Sequence, residues 1–104
     1  MMNAQTIGER IRNLRLERGE PLRVVAAGLE VDSSLLNKFE HGERLPTDHQ
    51  LTKLAEYFGI SWEELAAQSI AERIVGSYAL DQTTLKGLKI AEERIRYHLD
   101  GDNG

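Results

Sequence analysis

Three features of this 104-residue chain predict an all-α fold, with five short helices forming a compact domain and a helical extension following at the C-terminus. Apolar residues recur three and four apart, as in Ile7, Ile11 and Leu14 or Leu51, Leu54, Ala55 and Phe58, the spacing that lines one face of a helix. Capping residues open these segments and glycines close them: Thr47–Gln50 and Ser61–Glu64 have capping-box spacing, and Gly19, Gly42 and Gly59 sit just past apolar runs. Between Leu22 and Glu40, two such segments lie so close together that their apolar faces must converge on one residue, Val31.

The elements follow in order. Thr6 precedes helix 1, about 6–18, which Gly19 ends. Pro21 sits in the first turn of helix 2, about 21–29, where its missing N–H would have had no intrahelical partner. Asp32 caps helix 3, about 33–40, and Ser33 and Ser34 fall on its first turn. Leu45 tucks onto the core, and Pro46 forces an extended approach to helix 4, capped by Thr47. Ser61 starts helix 5 at Trp62, whose ring roofs the core, while Leu65 points inward. Ser69–Glu72 repeats the capping spacing, so Ile70, Ile74 and Tyr78 lie on a sixth helix to about 79 or on a bent continuation of the fifth. Asp81 caps a last helix, 82–99, with Leu85, Leu88, Ala91, Ile95 and Leu99 along one side, and the terminal GDNG frays.

The stretch from Leu22 to Glu40 reads as a helix-turn-helix, with Ala26 as the small residue that lets the two backbones approach. Its residues, together with Ile-Gly-Glu-Arg-Ile-Arg at 7–12, Arg15, Phe39-Glu40-His41-Gly42 and Leu45-Pro46, resemble the lambda-repressor-like, XRE-type helix-turn-helix regulators from about Ile7 to Leu65. The chain departs from that pattern at Leu22, where Gln is usual, at Pro21, where a Ser or Thr cap is usual, and at Glu30, where the turn usually carries Gly. A left-handed backbone at Glu30 costs a non-glycine residue about 1–2 kcal/mol, so this turn is either strained or differently shaped. The resemblance implies a domain over 1–68, leaving 69–104 as the helical extension. The Pro-Leu-Arg opening of helix 2 and the AEERI near the end are also similar to a subgroup of small bacterial XRE-type proteins encoded beside restriction–modification genes, which implies a controller.

Composition bounds the function. The absence of cysteine excludes thiolate catalysis, thiolate metal sites and disulfides, and fits a cytoplasmic setting. No apolar run approaches the ~20 residues of a membrane span, and MMNAQTIGER lacks the apolar core of a signal peptide. His41, His49 and His98 have neither a nucleophile-elbow context nor ligand spacing, so no enzyme activity, catalytic residue, metal, cofactor or small-molecule ligand is expected. The net charge of −4 argues mildly against nucleic acid, but three of the four excess negative charges lie beyond residue 60.

The expected partner is double-stranded DNA. Leu36 and Phe39 take the inward face of helix 3, so Ser33, Ser34, Asn37 and Lys38 face outward, a set chemically able to read base edges. The resemblance places Arg23, His41 and Arg44 against phosphates and makes Arg15 and Glu40 a structural ion pair. The stripe Leu85, Leu88, Ala91, Ile95 and Leu99 is surplus to the five-helix core; it either folds back on the monomer or forms a homodimer, the reading preferred. A rival reading is an antitoxin-like interaction module whose residues 69–99 bind another protein.

Overall fold

The computed structural model describes residues 5–103. Among them the regular elements are six helices: α1 (Ile7–Glu17), α2 (Leu22–Leu29), α3 (Ser33–Glu40), α4 (Asp48–Phe58), α5 (Trp62–Ser77) and α6 (Gln82–Asn103). The chain divides between Arg73 and Ile74 into two compact units.

In the first unit, helical periodicity becomes one core. Ile7 and Ile11 of α1, Val25, Ala26 and Leu29 of α2, Leu36 and Phe39 of α3, Leu51 and Leu54 of α4 and Leu65 of α5 are buried together, with Val31 and Leu45 packed against them. α1 crosses the end of α3 at Gly8, where a Cβ would lie 2.3 Å from the Phe39 carbonyl oxygen and 2.9 Å from that of Glu40. Only glycine permits so close an approach of two backbones.

The helix ends obey capping chemistry. Thr6 and Glu9 form a reciprocal capping box on α1, both bonds 3.0 Å, and the Thr6 N–H holds the Glu9 carboxyl below its ordinary range. A further N–H of that turn, from Ile7, is satisfied by the Glu72 carboxylate of α5 at 2.7 Å. Thr47–Gln50 closes a second capping box on α4. Asp32 accepts from the Leu35 N–H at 2.7 Å, and Asp81 from the Thr84 N–H at 2.9 Å. Pro21 precedes α2 in extended conformation and provides no side-chain cap.

Some expectations are corrected. Of the two readings of Ser69, a new helix and a continuation of the fifth, the structure has the continuation: α5 runs unbroken from Trp62 to Ser77, with Ser69 buried in its interior. The run Leu-Ala-Ala-Gln has no helix breaker, and Glu72, which would have closed a local capping box, instead caps α1. Trp62 does not roof the core but stands 49 % exposed. Leu65 and Ser69 define the inward stripe of α5, leaving Trp62 and Ile70 at its edge. α6 continues helically to Asn103 where fraying was expected, while Gly104 and the first four residues lie outside the described range.

The turn between α2 and α3 is left-handed at Glu30, with φ 59° and ψ 39°. The Val31 N–H reaches back to the Ala26 carbonyl at 3.0 Å, as in a helix normally ended by glycine. Lys53 of α4 pairs with the Glu30 carboxylate, an attachment glycine could not make. The second unit is built differently: no side chain from Ile74 to Gly101 is buried. Val75, Tyr78, Leu80, Leu85, Leu88, Ile90, Ile95 and Leu99 are all exposed there.

Candidate nucleic-acid interface

α3 is two turns of helix with two chemically different faces. Leu36 and Phe39 are buried, whereas Ser33, Ser34, Asn37 and Lys38 are exposed. Hydroxyl, amide and ammonium groups at these four positions offer both donors and acceptors. The helix is stopped by Gly42 at φ 72°, where the Glu43 N–H closes onto the Lys38 carbonyl at 2.9 Å. His41 lies on this turn with Nδ1 2.8 Å from the Asn37 carbonyl oxygen. Arg44 is exposed on the following loop, which half-buried Leu45 and buried Pro46 anchor. Arg23 is exposed on the first turn of α2.

An ion pair holds α3 on its scaffold. Arg15 of α1 donates from Nε to one oxygen of Glu40 at 2.7 Å and from an Nη to the other at 3.0 Å. Its remaining Nη donates to the Glu20 carbonyl at 3.1 Å. Both charged side chains are sequestered, 12 % and 2 % exposed, and the hydrogen bonds to Glu40 raise the Arg15 pKa further above its ordinary value.

The same chain of bonds continues to α4. The Glu20 carboxylate accepts from the Tyr57 hydroxyl at 2.6 Å and meets Arg18 Nε at 2.6 Å. Arg18 also donates to the Tyr57 carbonyl at 2.8 Å and lies over the Tyr57 ring, 4.7 Å from its centroid. The bond to Glu20, which accepts the phenolic proton, raises the Tyr57 pKa. Glu20 and Tyr57 were not singled out from the sequence. They are 37 residues apart, and no local pattern joins them.

These pairings sort the positive charges. Of the eight basic residues up to Lys53, four are engaged internally: Arg10 by Gln68 and Glu64, Arg15 by Glu40, Arg18 by Glu20, and Lys53 by Glu30. Arg12, Arg23, Lys38 and Arg44 have no hydrogen-bond or ion-pair partner among the described residues. Three of these four were singled out by sequence for DNA; Arg12 was not. Leu85, Leu88, Ala91, Ile95 and Leu99 are exposed on α6, in the second unit. No group of three His, Asp or Glu side chains among the described residues could hold a metal ion. Among the described residues no helix is long and apolar enough to cross a membrane.

A family model described as a helix-turn-helix domain matches residues 8–69. The HTH-type transcriptional regulator RamB of Mycobacterium tuberculosis is 37% identical over 67 residues, 64% of this chain. The chain spans only 14% of RamB's length. In structure, it is similar to the clp gene regulator ClgR from Corynebacterium glutamicum, with TM-score 0.52 and 24% identity, covering 72% of this chain and 91% of that one. A chain of the SinR protein/SinI protein complex gives TM-score 0.54 and 24% identity over 94% of this chain and 95% of its own. At such identities the likeness speaks for the fold.

Proposed function

Since the chain belongs to the helix-turn-helix domain family, and within it to the XRE type, we propose that it is a sequence-specific DNA-binding regulator of transcription that acts as a homodimer on a near-palindromic operator. The observation that carries this reading is the division of α3: its apolar residues are committed to the core while Ser33, Ser34, Asn37 and Lys38 stand free at the surface. On this reading those four side chains read base edges in the major groove, where lysine can bond guanine and asparagine can pair with adenine. Arg23, His41 and Arg44 hold phosphates on either side and set the register. Because half the cations of residues 1–60 are occupied internally, the acidic chain keeps little charge for indiscriminate phosphate binding. The acidic balance then favours discrimination over non-specific affinity.

One recognition helix of four reading side chains carries too little information for a genome offering about 10⁶ or more competing sites, which is the argument for two copies. The exposed apolar residues of α6 supply a surface for that pairing, with 69–104 as the dimer element and 1–68 as the DNA-binding domain. The narrower role of restriction–modification controller rests on the likeness of the helix 2 opening and AEERI alone. The same exposed α6 face also suits a rival role, an interaction module bound to a different protein, as SinR is found with SinI. Selection of bound sites from random duplex DNA at a stated salt concentration tests the proposal. Enrichment of one near-palindrome with half-sites about 10 base pairs apart supports it; no enrichment at any salt refutes it.

A further inference from the structure

We infer that Tyr57 is a positioning residue for DNA binding, acting through Glu20 to fix the start of α2; this rests on the reading of the first unit as a DNA-binding domain. α2 opens without a side-chain cap, because Pro21 occupies the cap position and has none to offer. Packing of Leu22 and Val25 on the core holds its first turn, but no side chain caps the N–H groups there. The residue just before it is fastened instead: the Glu20 carbonyl takes an Nη proton of Arg15, and the Glu20 carboxylate takes the Tyr57 hydroxyl proton and the Arg18 ion pair. Arg15 carries the line on to Glu40 at the last residue of α3.

A continuous run of hydrogen bonds thus joins the end of α4, the start of α2 and the end of α3. Tyr57 also reaches the other end of α2. A Cβ on Gly28 would fall 2.3 Å from Cε2 of the Tyr57 ring, so the ring lies directly on the last turn of α2. One side chain therefore touches α2 near both ends, its ring on Gly28 and its hydroxyl on Glu20.

The consequence for DNA follows from what α2 presents. Arg23 on its first turn has no internal partner, and the first N–H groups of an uncapped helix point outward with the positive end of its dipole. Both suit a phosphate, and both move with Glu20. Base-reading residues on α3 are held by burial of Leu36 and Phe39 and by the Arg15–Glu40 ion pair, neither of which uses the Tyr57 hydroxyl. Loosening Glu20 should therefore cost phosphate contact without changing which bases are read.

The variant Tyr57→Phe removes the hydroxyl and keeps the ring on Gly28. It is measured beside Glu20→Gln and the double variant, at a temperature where circular dichroism finds each fully folded. Duplexes are a selected operator and a random sequence of equal length. Tyr57→Phe should weaken both by the same factor, about tenfold, as expected for one charge-assisted bond. The salt slope should fall by about 0.9, and the double variant should lose no more than the worse single one. Unchanged affinity in a folded Tyr57→Phe protein would overturn the inference and leave the DNA reading standing, as would additive losses in the double variant. Failure of the unaltered protein to bind either duplex would overturn both.

Discussion

Gly8 and Gly19 are both glycines of the first unit, yet they are needed for opposite reasons. At Gly8 the obstacle is space, since a methyl group would meet two carbonyl oxygens of α3 that belong to backbone and cannot rotate away. At Gly19 there is open space, and φ +65° is the only demand. Gly8→Ala should thus destabilise by several kcal/mol, at least the ~3 typical of severe overpacking, and Gly19→Ala by about 1 kcal/mol; urea unfolding midpoints rank the two. Arg15 and Glu40 show the residue scale for charge. Removing Arg15 strands a carboxylate that is 2 % exposed, so Arg15→Met should cost about 3–5 kcal/mol. Equal stability of Arg15→Met and the parent would disprove that. The perturbed acids set the pH response. Glu9 and Glu30 have carboxyls held below the ordinary 4.5, by the Thr6 hydrogen bonds and by Lys53 respectively. Their contribution is complete above pH 4.5 and is lost as pH falls through the lower folded values. Lys53 and Tyr57 are raised above 10.5 and 10.0 by their carboxylate partners, so their share is complete below pH 10 and lost as pH climbs through the higher folded values. A Glu9→Gln/Glu30→Gln variant should accordingly show a shallower fall in unfolding midpoint than the parent as pH drops below 4.5.

Helices whose signals are local were legible in the sequence, and those governed by distant partners were not. α3 and α4 carry their own caps and stops, Asp32 with Gly42 and Thr47 with Gly59, and fell where the pattern put them. α5 misled because Ser69–Glu72 has capping spacing but Glu72 serves α1, 65 residues away at Ile7, a contact no local window contains. The outward face of α3 was readable because Leu36 and Phe39 define the inward one; the Glu20–Tyr57 link was not, because it depends on the packing of α2 against α4. The turn at Glu30 lies between these cases: the left-handed position was visible as a departure from glycine, but the pairing with Lys53 required the fold. Glu30→Gly should relieve about 1–2 kcal/mol of backbone strain while giving up an exposed, solvent-screened ion pair, leaving stability equal or slightly raised. Glu30→Ala keeps the strain and loses the pair, and should unfold at lower temperature than both. On the binding side, Lys38→Ala should lower affinity for the selected operator by about 1–3 kcal/mol with little effect on random duplex. Arg44→Ala should weaken both alike and flatten the salt slope by roughly 0.9. Equal losses on both duplexes from both variants would remove the division between base reading and phosphate holding.

At the scale of the whole molecule the two units differ in how they account for their apolar side chains. The first buries its own, from Ile7 through Leu65, around one core. The second has none buried among its described residues, and Leu80, Leu85, Leu88, Ile90, Ile95 and Leu99 all stand at least 38 % exposed. So large an exposed apolar surface is costly in water, and on the proposed reading it is where two copies associate. α6 itself is well built: Asp81 caps it, and Glu92 and Arg96 pair along its flank at 2.7 Å. None of these supports draws on the stripe, so substitutions in the stripe leave them in place. A stable pairing needs roughly 800 Å² from each partner. On the proposed reading, a two-fold pair sets two copies of α3 about 34 Å apart on one face of the duplex. A Leu88→Asp/Ile95→Asp variant should sediment as a monomer with unchanged helicity in residues 1–68, while the parent sediments as a dimer at micromolar concentration. Operator affinity of the variant should fall by at least tenfold and become steeper in protein concentration, because assembly must then occur on DNA. A parent that is monomeric, or a variant that stays dimeric with full operator affinity, would show that the exposed stripe of α6 serves another purpose.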